Sequence, residues 1–285
     1  KTSSFGNGSS DVWLIKTNEL GNEEWNRTFG GGNDDYGNSI QQTINSGFII
    51  VGNTISFGNG QMDIWLIKTD AEGNEVWNQT FGGSANDLGY SVQQTNDGGY
   101  VIIGTTQSYG YGNYDVWLIK TDADGNEVWN QTFGGSNGDY GFSVKQTLDN
   151  GFIIVGRTSS FGNGSSDIWL IKTNELGNEE WNTTFGGIHD DYGESVQLTT
   201  NNKFIIAGWT SSFGNGSSDI WLIKTDADGN EIWNRSFGGV SSESSYSAEQ
   251  TTDNGYIVSG VTQSYGNGQR DIWLIKVGAE GCTDP

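Results

Sequence analysis

The sequence predicts an all-β protein made from one repeated unit of four short antiparallel strands. A strict repeat is the first observation: the motif Asp-x-Trp-Leu-Ile-Lys recurs every 52 residues without insertion or deletion. Its copies begin at Asp11, Asp63, Asp115, Asp167, Asp219 and Asp271. Second, each unit holds four runs rich in Val, Ile, Thr and aromatic residues, separated by Gly, Asn and Asp, and no run shows a helical stripe. A period near 50 with four strands per unit predicts a β-propeller in which each unit is one blade.

Within the unit, comparison with a general four-stranded blade assigns the strands. We expect the innermost strand at residues 142–147, the second at 152–158, the third at 167–173 and the outermost at 179–185. Gly125 and Gly151 lie in short polar segments that suit hairpin turns between antiparallel neighbours. The motif Asp-x-Trp-Leu-Ile-Lys is therefore predicted to form the third strand of each blade.

Five blades are favoured, with the ring closed by strands from both ends of the chain. Residues 11–29 are the third and outer strands of an incomplete blade, and strands at 246–251, 256–262 and 271–276 supply its complement. One strand is then left over, because the first and sixth copies of the motif compete for one place. Six or more blades, or part of a larger propeller, are the alternatives. The predicted propeller spans 1–277, and 278–285 is a tail or the start of another module.

Composition limits the partners. The chain has 35 acidic and 13 basic residues, for a formal net charge of -22. Such a surface repels phosphate backbones and anionic lipid heads, so neither nucleic acid nor insertion into a membrane is expected of this segment. With 12 Trp, 11 Tyr and 13 Phe, the chain still has enough large side chains to build a core. No signal peptide or membrane-spanning run is expected within it.

Three recurring segments resemble a known family, the bacterial and archaeal extracellular β-propeller repeats. The segments are Gly82-Gly-Ser-Ala-Asn-Asp-Leu-Gly89, Asn96-Asp-Gly-Gly-Tyr-Val-Ile-Ile-Gly104 and Asp115-Val-Trp-Leu-Ile-Lys120. The resemblance implies a propeller in a secreted or cell-surface protein, and it does not fix an activity. The last five residues resemble the opening of a cysteine-containing module, which would give Cys282 a disulfide partner beyond Pro285. A disordered tail with an incidental thiol is the alternative.

The chain carries eight N-glycosylation sequons. Five recur in the Trp-Asn-x-Thr/Ser element and three in a Gly-rich loop. The candidate acceptors are Asn26, Asn78, Asn130, Asn182, Asn234, Asn7, Asn163 and Asn215. The alternative is that repetition copied chance sequons in an organism without the pathway.

Two acidic hairpins resemble calcium loops, with candidate ligands Asp122, Asp124, Asp226 and Asp228. A plain turn is the favoured interpretation, because the equivalent hairpins have Leu20 and Leu176 where a ligand would stand. No cofactor is expected to be required. A second acidic group follows each Gly-Gly pair, and we expect it to cap the local turn, with the pattern broken at Ser244.

A unique binding site has to lie where the repeats differ. The most diverse column follows the glycine of the second strand, and its members are candidates for a binding face: Asn53, Thr105, Arg157, Trp209 and Val261. Drift at an unconstrained position is the alternative. The two tryptophans of each repeat are expected to pack between blades rather than stack on sugars.

Enzyme chemistry finds little support in so uniform a repeat, and the sole histidine, His189, is expected to lie solvated in a loop. The sequence therefore predicts a non-enzymatic extracellular structural or adhesive module, acidic and self-associating by strand exchange. Its expected partners are other copies, other surface proteins and glycans. The alternatives are a lectin-like multivalent carbohydrate-binding propeller and, third, a polysaccharide-active enzyme.

Overall fold

The computed structural model describes residues 1–282, and it confirms the all-β class. These residues form 21 strands in antiparallel sheets, and no helix occurs among them. Consequently no part of residues 1–282 forms a helix long and apolar enough to cross a membrane. By their contacts the residues divide into two compact units, the first Lys1–Gly134 and the second from Gly135 onward.

The first unit holds one sheet of two strands and two sheets of four. The two-stranded sheet is formed by β1 (Val12–Thr17) and β2 (Glu23–Phe29). The next two sheets contain, in order, β3 (Asp35–Gln42), β4 (Phe48–Thr54), β5 (Asp63–Thr69), β6 (Glu75–Phe81), β7 (Asp87–Gln94), β8 (Tyr100–Thr106), β9 (Asp115–Thr121) and β10 (Glu127–Phe133).

The second unit holds two sheets of four strands and one of three. The four-stranded sheets contain β11 (Asp139–Gln146), β12 (Phe152–Thr158), β13 (Asp167–Thr173), β14 (Glu179–Phe185), β15 (Asp191–Leu198), β16 (Phe204–Thr210), β17 (Asp219–Thr225) and β18 (Glu231–Phe237). The three-stranded sheet consists of β19 (Glu243–Gln250), β20 (Tyr256–Thr262) and β21 (Asp271–Val277).

The predicted second, third and outer strands at 152–158, 167–173 and 179–185 match the structure to the residue, and the last third strand ends at Val277 rather than at 276. The inner strand begins earlier. β11 begins at Asp139 rather than Phe142, and β19 begins at Glu243 rather than Tyr246. The shift arises because each inner strand contains a β-bulge, as between Gly141 and Ser143, so that pairing continues beyond the glycine toward the preceding loop.

The predicted closing blade is wrong for the residues described. β2 pairs with β1, whereas β21 is the last strand of a three-stranded sheet. The reason is local: β1 and β2 are joined by a tight turn in which the backbone N–H groups of Leu20 and Asn22 each donate to the Asn18 side chain at 3.0 Å. A short hairpin of this kind costs less chain entropy than pairing two distant ends. The number of blades and the domain boundary at 277 stay predictions.

The core lies between successive sheets. In the first unit, Ile49, Val51 and Leu66 of one sheet pack with Tyr100 and Ile102 of the next, all nearly inaccessible to water. The third strand is buried along its whole length in β5, β9, β13 and β17, because both faces of the sheet are covered. Its tryptophan belongs to the same cores, which confirms the packing role predicted for it.

A buried carboxylate at the start of each inner strand joins three segments of the chain. The Asp87 carboxylate accepts hydrogen bonds from the Thr106 hydroxyl, from the Ser108 hydroxyl at 2.7 Å and from the Gly83 backbone N–H at 2.8 Å. It thereby ties the inner strand to the end of the second strand and to the Gly-Gly turn. The predicted turn-capping role of these acidic residues is confirmed.

The pattern is not broken in the last repeat, because Glu243 occupies the equivalent position and Ser244 is its neighbour. The Glu243 carboxylate accepts from the Gly239 N–H at 2.8 Å, the Thr262 hydroxyl at 2.9 Å and the Ser264 N–H at 3.0 Å. The longer side chain of Glu reaches the same donors, which a search for Asp alone misses.

The Asp that opens each third strand forms a second carboxylate site beside the first. Asp63 is 2% exposed, and one of its oxygens accepts from the Asn59 N–H at 2.8 Å. Its other oxygen, Oδ1, has no hydrogen-bond partner and packs against Gly82. Burial, and secondarily the nearby Asp87, raise the pKa of Asp63 to about 6 against the opposing hydrogen bond from Asn59. The pKa of Asp167 is raised to about 6 in the same way.

Gly82 is the first test of this packing. A Cβ at Gly82 would lie 1.7 Å from Asp63 Oδ1 and 3.0 Å from Asp87 Oδ2. We expect Gly82→Ala to displace Asp63 and lower the free energy of unfolding by about 1–3 kcal/mol in urea denaturation. Gly32→Ala is the control, because a Cβ added at Gly32 would have no other atom within 4 Å. Equal stability of the two variants would contradict the packing.

The raised pKa values predict how stability depends on pH. A carboxyl whose folded pKa lies above its unfolded value of about 4 binds protons first in the native state, so stability rises as pH falls from about 7 toward about 4.5. Below that range the trend reverses, because acid protonates carboxylates whose folded pKa lies below the unfolded value. Asp97 is one of them: burial alone would raise its pKa, but its hydrogen bonds and its ion pair with Lys120 lower it to about 2. We expect a melting temperature higher at about pH 4.5 than at about pH 7.

The Asp63→Asn variant isolates one of these groups. It mimics the protonated carboxyl, so the rise in melting temperature between about pH 7 and about pH 4.5 should be smaller than in the wild type. Asp124→Asn, at an exposed turn position, is the control. A melting temperature that falls steadily on acidification in the wild type would rule out the assignment.

Candidate functional site

The structure separates the five residues of the diverse column. The Asn53 side chain is used locally, because its Oδ1 accepts the Gly89 N–H at 2.7 Å. Thr105 is fully buried, and Val261 is half-buried in β20. Arg157 and Trp209 lie in one cluster of the second unit, and a binding face that includes all five residues stays a prediction.

Arg157 lies between two tyrosine rings. Its guanidinium carbon is 4.2 Å from the ring centre of Tyr140 and 4.1 Å from that of Tyr192. Tyr140 is its cross-strand partner in the same sheet, and Tyr192 belongs to the following sheet. A guanidinium stacked on aromatic faces is held in plane and gains cation–π attraction on both sides.

The aromatic contacts continue at both ends of this sandwich. Tyr192 and its cross-strand partner Trp209 have ring centres 4.1 Å apart, and Tyr140 stacks on Phe142 at 6.2 Å with an angle of 16° between the planes. The result is a row of five planar groups, here named the aromatic row: Phe142, Tyr140, Arg157, Tyr192 and Trp209.

Glu194 lies against this row. It is the bulged residue of β15, between Gly193 and Ser195, and has no cross-strand partner. Bulges re-aim one side chain out of the regular alternation, and they are frequent beside functional sites. The Glu194 carboxyl accepts a hydrogen bond from the Trp209 side chain and lies close enough to Arg157 to feel its charge.

Burial raises the pKa of Glu194, and it outweighs the lowering by Arg157 and by the Trp209 hydrogen bond. The side chain is nevertheless half-buried, so it keeps access to solvent. A carboxyl with a raised pKa binds its proton more firmly than a free one, and where it reaches solvent it can donate that proton to a bound molecule. This is the chemistry that the cluster offers.

Glu194, Tyr140 and Tyr192 were missed at the sequence level. One signal is the column at the bulge, which is nearly as diverse as the one considered and reads Asn38, Tyr90, Phe142, Glu194 and Tyr246. The cross-strand register, which places Tyr140 opposite Arg157, would have supplied the rest.

The five recurring sequon asparagines lie on the outer strands, and both the oxygen and the nitrogen of each side-chain amide form hydrogen bonds. Asn78 Oδ1 accepts from the Trp65 side chain at 3.0 Å, and its Nδ2 donates to Glu75 at 2.7 Å. The other four repeat the arrangement. Asn7, Asn163 and Asn215 are exposed in the Gly-rich loops. Glycosylation at all eight stays a prediction, with a structural role for five of them beside it.

The two acidic hairpins form tight turns. Asp122 accepts the N–H groups of Asp124 and Asn126 at 3.0 and 2.8 Å, and Asp226 does the same with Asp228 and Asn230. Asn18 and Asn174 close equivalent turns without a carboxylate. No group of three or more His, Cys, Asp or Glu side chains suited to share a metal ion occurs within residues 1–282. Calcium at these hairpins stays a prediction.

His189 and Cys282 both lie at the surface. His189 is exposed, and its backbone N–H donates to the Ser212 hydroxyl at 3.1 Å, which agrees with a loop position. Cys282 is exposed and has a free thiol, while residues 283–285 of the predicted tail or module lie outside the described residues.

No protein-family model and no curated protein matches the chain. Among solved structures, a puromycin hydrolase is similar over 87% of this chain and 38% of its own, with 12% identity and a TM-score of 0.55. Sqt1 from Chaetomium thermophilum is similar over 96% of this chain and 64% of its own, with 10% identity and a TM-score of 0.53. An endo-arabinase from Bacteroides thetaiotaomicron is similar over 83% of this chain and 92% of its own, with 10% identity and a TM-score of 0.44. The chain thus spans less than two thirds of the first two proteins.

These comparisons correct one prediction and support another. The β-propeller fold class is confirmed, because the puromycin hydrolase that this chain resembles has a propeller fold. The prediction of a non-enzymatic module is wrong, because its argument was that a uniform array does not suit catalysis, and this fold is shared with a hydrolase. At identities of 10–12% the likeness shows the fold alone, so it transfers no particular activity.

Proposed function

We propose that this chain is part of an extracellular enzyme that hydrolyses polysaccharide, with Glu194 as the proton donor. The carrying observation is Glu194 itself. It is the only acidic residue in the bulge column, its pKa is raised by burial, and it lies against aromatic rings at a point where the repeat symmetry breaks. Polysaccharide-cleaving activity was the third alternative that the sequence offered.

The chemistry follows from that proton. In glycoside hydrolysis a protonated carboxyl transfers its proton to the leaving oxygen as the bond to the anomeric carbon breaks. Water supplies the hydroxyl group to that carbon, and its remaining proton returns to the carboxylate. A raised pKa increases the protonated fraction of the donor at a given pH, and the Trp209 side chain is a hydrogen-bond partner of the carboxyl.

The surroundings of Glu194 suit a sugar. Sugar rings have apolar faces that pack on aromatic side chains, and their hydroxyls pair with carboxyl and amide groups. The aromatic row supplies aromatic side chains for the apolar faces, and Glu194 supplies a carboxyl group for the hydroxyls. A groove of about 250 Å³ with Phe213, Glu231 and Asn234 in its lining has the same composition away from Glu194. We propose that it contacts more of the same polymer.

The location and family also belong to this proposal. The resemblance to bacterial and archaeal extracellular β-propeller repeats supports a secreted or cell-surface protein. Glycans are the proposed ligands, and the prediction of other copies or surface proteins as partners stays untested. The chain spans less than two thirds of the puromycin hydrolase and of Sqt1. The activity of any longer protein that contains this chain is therefore also part of the proposal.

Glu194→Gln is the direct test of the proton donor. We expect it to lower kcat on a cleaved polysaccharide by about 10²–10⁴-fold, the usual contribution of a general acid, with little change in oligosaccharide affinity. The wild-type rate should decline as pH rises above the raised pKa of Glu194, because the donor must be protonated. Reducing-end release from a panel of polysaccharides measures both.

Glu249→Gln is the matched control, because Glu249 lies on an inner strand and contacts Gln197 rather than the aromatic row. It should keep wild-type activity. Full activity of Glu194→Gln would refute the assigned donor, and a wild-type protein that neither binds nor cleaves any member of the panel would refute the function.

A further inference from the structure

We infer that Arg157 binds a carboxylate on the substrate, so that the polysaccharide contains uronic acid units. The inference rests on the proposed function and narrows its substrate class. It is carried by how Arg157 is held and by what its side chain does not contact.

The hydrogen-bonding capacity of Arg157 is unused within the described structure. Its Nε is buried and has no partner, and the guanidinium neither donates a hydrogen bond nor forms an ion pair with any described residue. A guanidinium has five N–H donors, and leaving such a group buried and unpaired is costly. Buried polar groups without partners call for an explanation, and a ligand supplies one.

The two tyrosine rings hold this guanidinium ready for a planar anion. With Tyr140 and Tyr192 covering both faces at 4.2 and 4.1 Å, only its edge is available, and the edge carries the donors. That edge matches a carboxylate through two parallel hydrogen bonds. Because stacking already restricts the side chain, little conformational entropy is lost on binding.

The charge of Arg157 also has no ion-pair partner among the described residues. Glu194 lies near it, but burial opposes ionisation of this carboxyl and raises its pKa. In a chain of net charge -22, this gives a local cationic spot between aromatic rings. Its attraction acts at close range, since salt screens charges beyond about 10 Å.

A purely structural role for Arg157 is the competing explanation, and the first unit offers a comparison. There the equivalent Asn53 satisfies a backbone N–H of the neighbouring inner strand at 2.7 Å. Arg157 provides no such bond among the residues described, so it contacts the next sheet by stacking on Tyr192 and not through a hydrogen bond. A structural role in keeping the two tyrosine rings apart would explain why the guanidinium stacks flat between them. It would not explain why the hydrogen-bond donors of the guanidinium have no partner.

Binding of matched oligosaccharides to the full chain tests the inference. Oligogalacturonate and the corresponding galactose oligosaccharide share stereochemistry and differ in the carboxylate at C6. By isothermal titration calorimetry we expect the uronate to bind at least about 10-fold more tightly, which is the scale of one charge-assisted pair. In Arg157→Gln this preference should disappear while affinity for the neutral sugar is kept, and Arg157→Lys should retain part of it.

Lys145→Gln is the control for loss of a positive charge in the same sheet, because Lys145 lies on the neighbouring strand β11, and it should keep the preference. Near-ultraviolet circular dichroism of each variant checks that the aromatic row is intact. A sulfated galactose oligosaccharide bound more tightly than the uronate would refute a carboxylate site. Equal binding or cleavage of neutral and uronate sugars overturns this inference alone, whereas failure of all the sugars to bind overturns the proposed function as well.

Discussion

The buried carboxylate at the head of each inner strand is the interaction on which the rest of the fold depends. Asp35, Asp87, Asp139, Asp191 and Glu243 each gather hydroxyl and amide donors from the second strand and the Gly-Gly turn. A buried carboxylate is stable in the interior where its oxygens have hydrogen-bond donors, and among these five groups only Oδ1 of Asp191 lacks one within the described residues. The donors must therefore stay in place, and this requirement accounts for the recurring Thr, Ser and Gly of the repeats.

The second carboxylate of each pair works in the opposite sense. Asp63 lies beside Asp87 and has one oxygen unpaired, and burial, with a smaller contribution from Asp87, raises its pKa to about 6. The same pocket thus contains one carboxyl group with several hydrogen-bond donors and one with few. Glycine at position 82 is required because the second carboxyl occupies the place of a Cβ. The repeat combines well-satisfied and poorly satisfied polar groups, and its stability reflects the difference between them.

The sequence was sufficient for the fold class and for most strand bounds, because the period, the turn residues and the apolar runs are local signals. It was insufficient for the closing strand, since hydrophobic pattern does not reveal which edges pair, and Asn18 favours the local hairpin. Arg157 and Trp209 were found as departures from the repeat. Glu194 was not, because its importance comes from a bulge and from partners about 35 residues and 15 residues away in sequence. The predicted break at Ser244 was wrong for a simpler reason. Glu243 stands where the other repeats have Asp, and its side chain, longer by one methylene, accepts the equivalent hydrogen bond.

The bulge has a consequence for how such a chain changes over generations. A bulged residue has no cross-strand partner, so its identity is largely released from the demands of sheet pairing. Asn, Tyr, Phe, Glu and Tyr occupy this position in successive repeats, while the Ser that follows it is the same in all five. Duplication of one stable unit therefore supplies several independent places at which new chemistry can be tried without loss of the scaffold. The array separates the part of the molecule that must be copied faithfully from the part that is free to diversify.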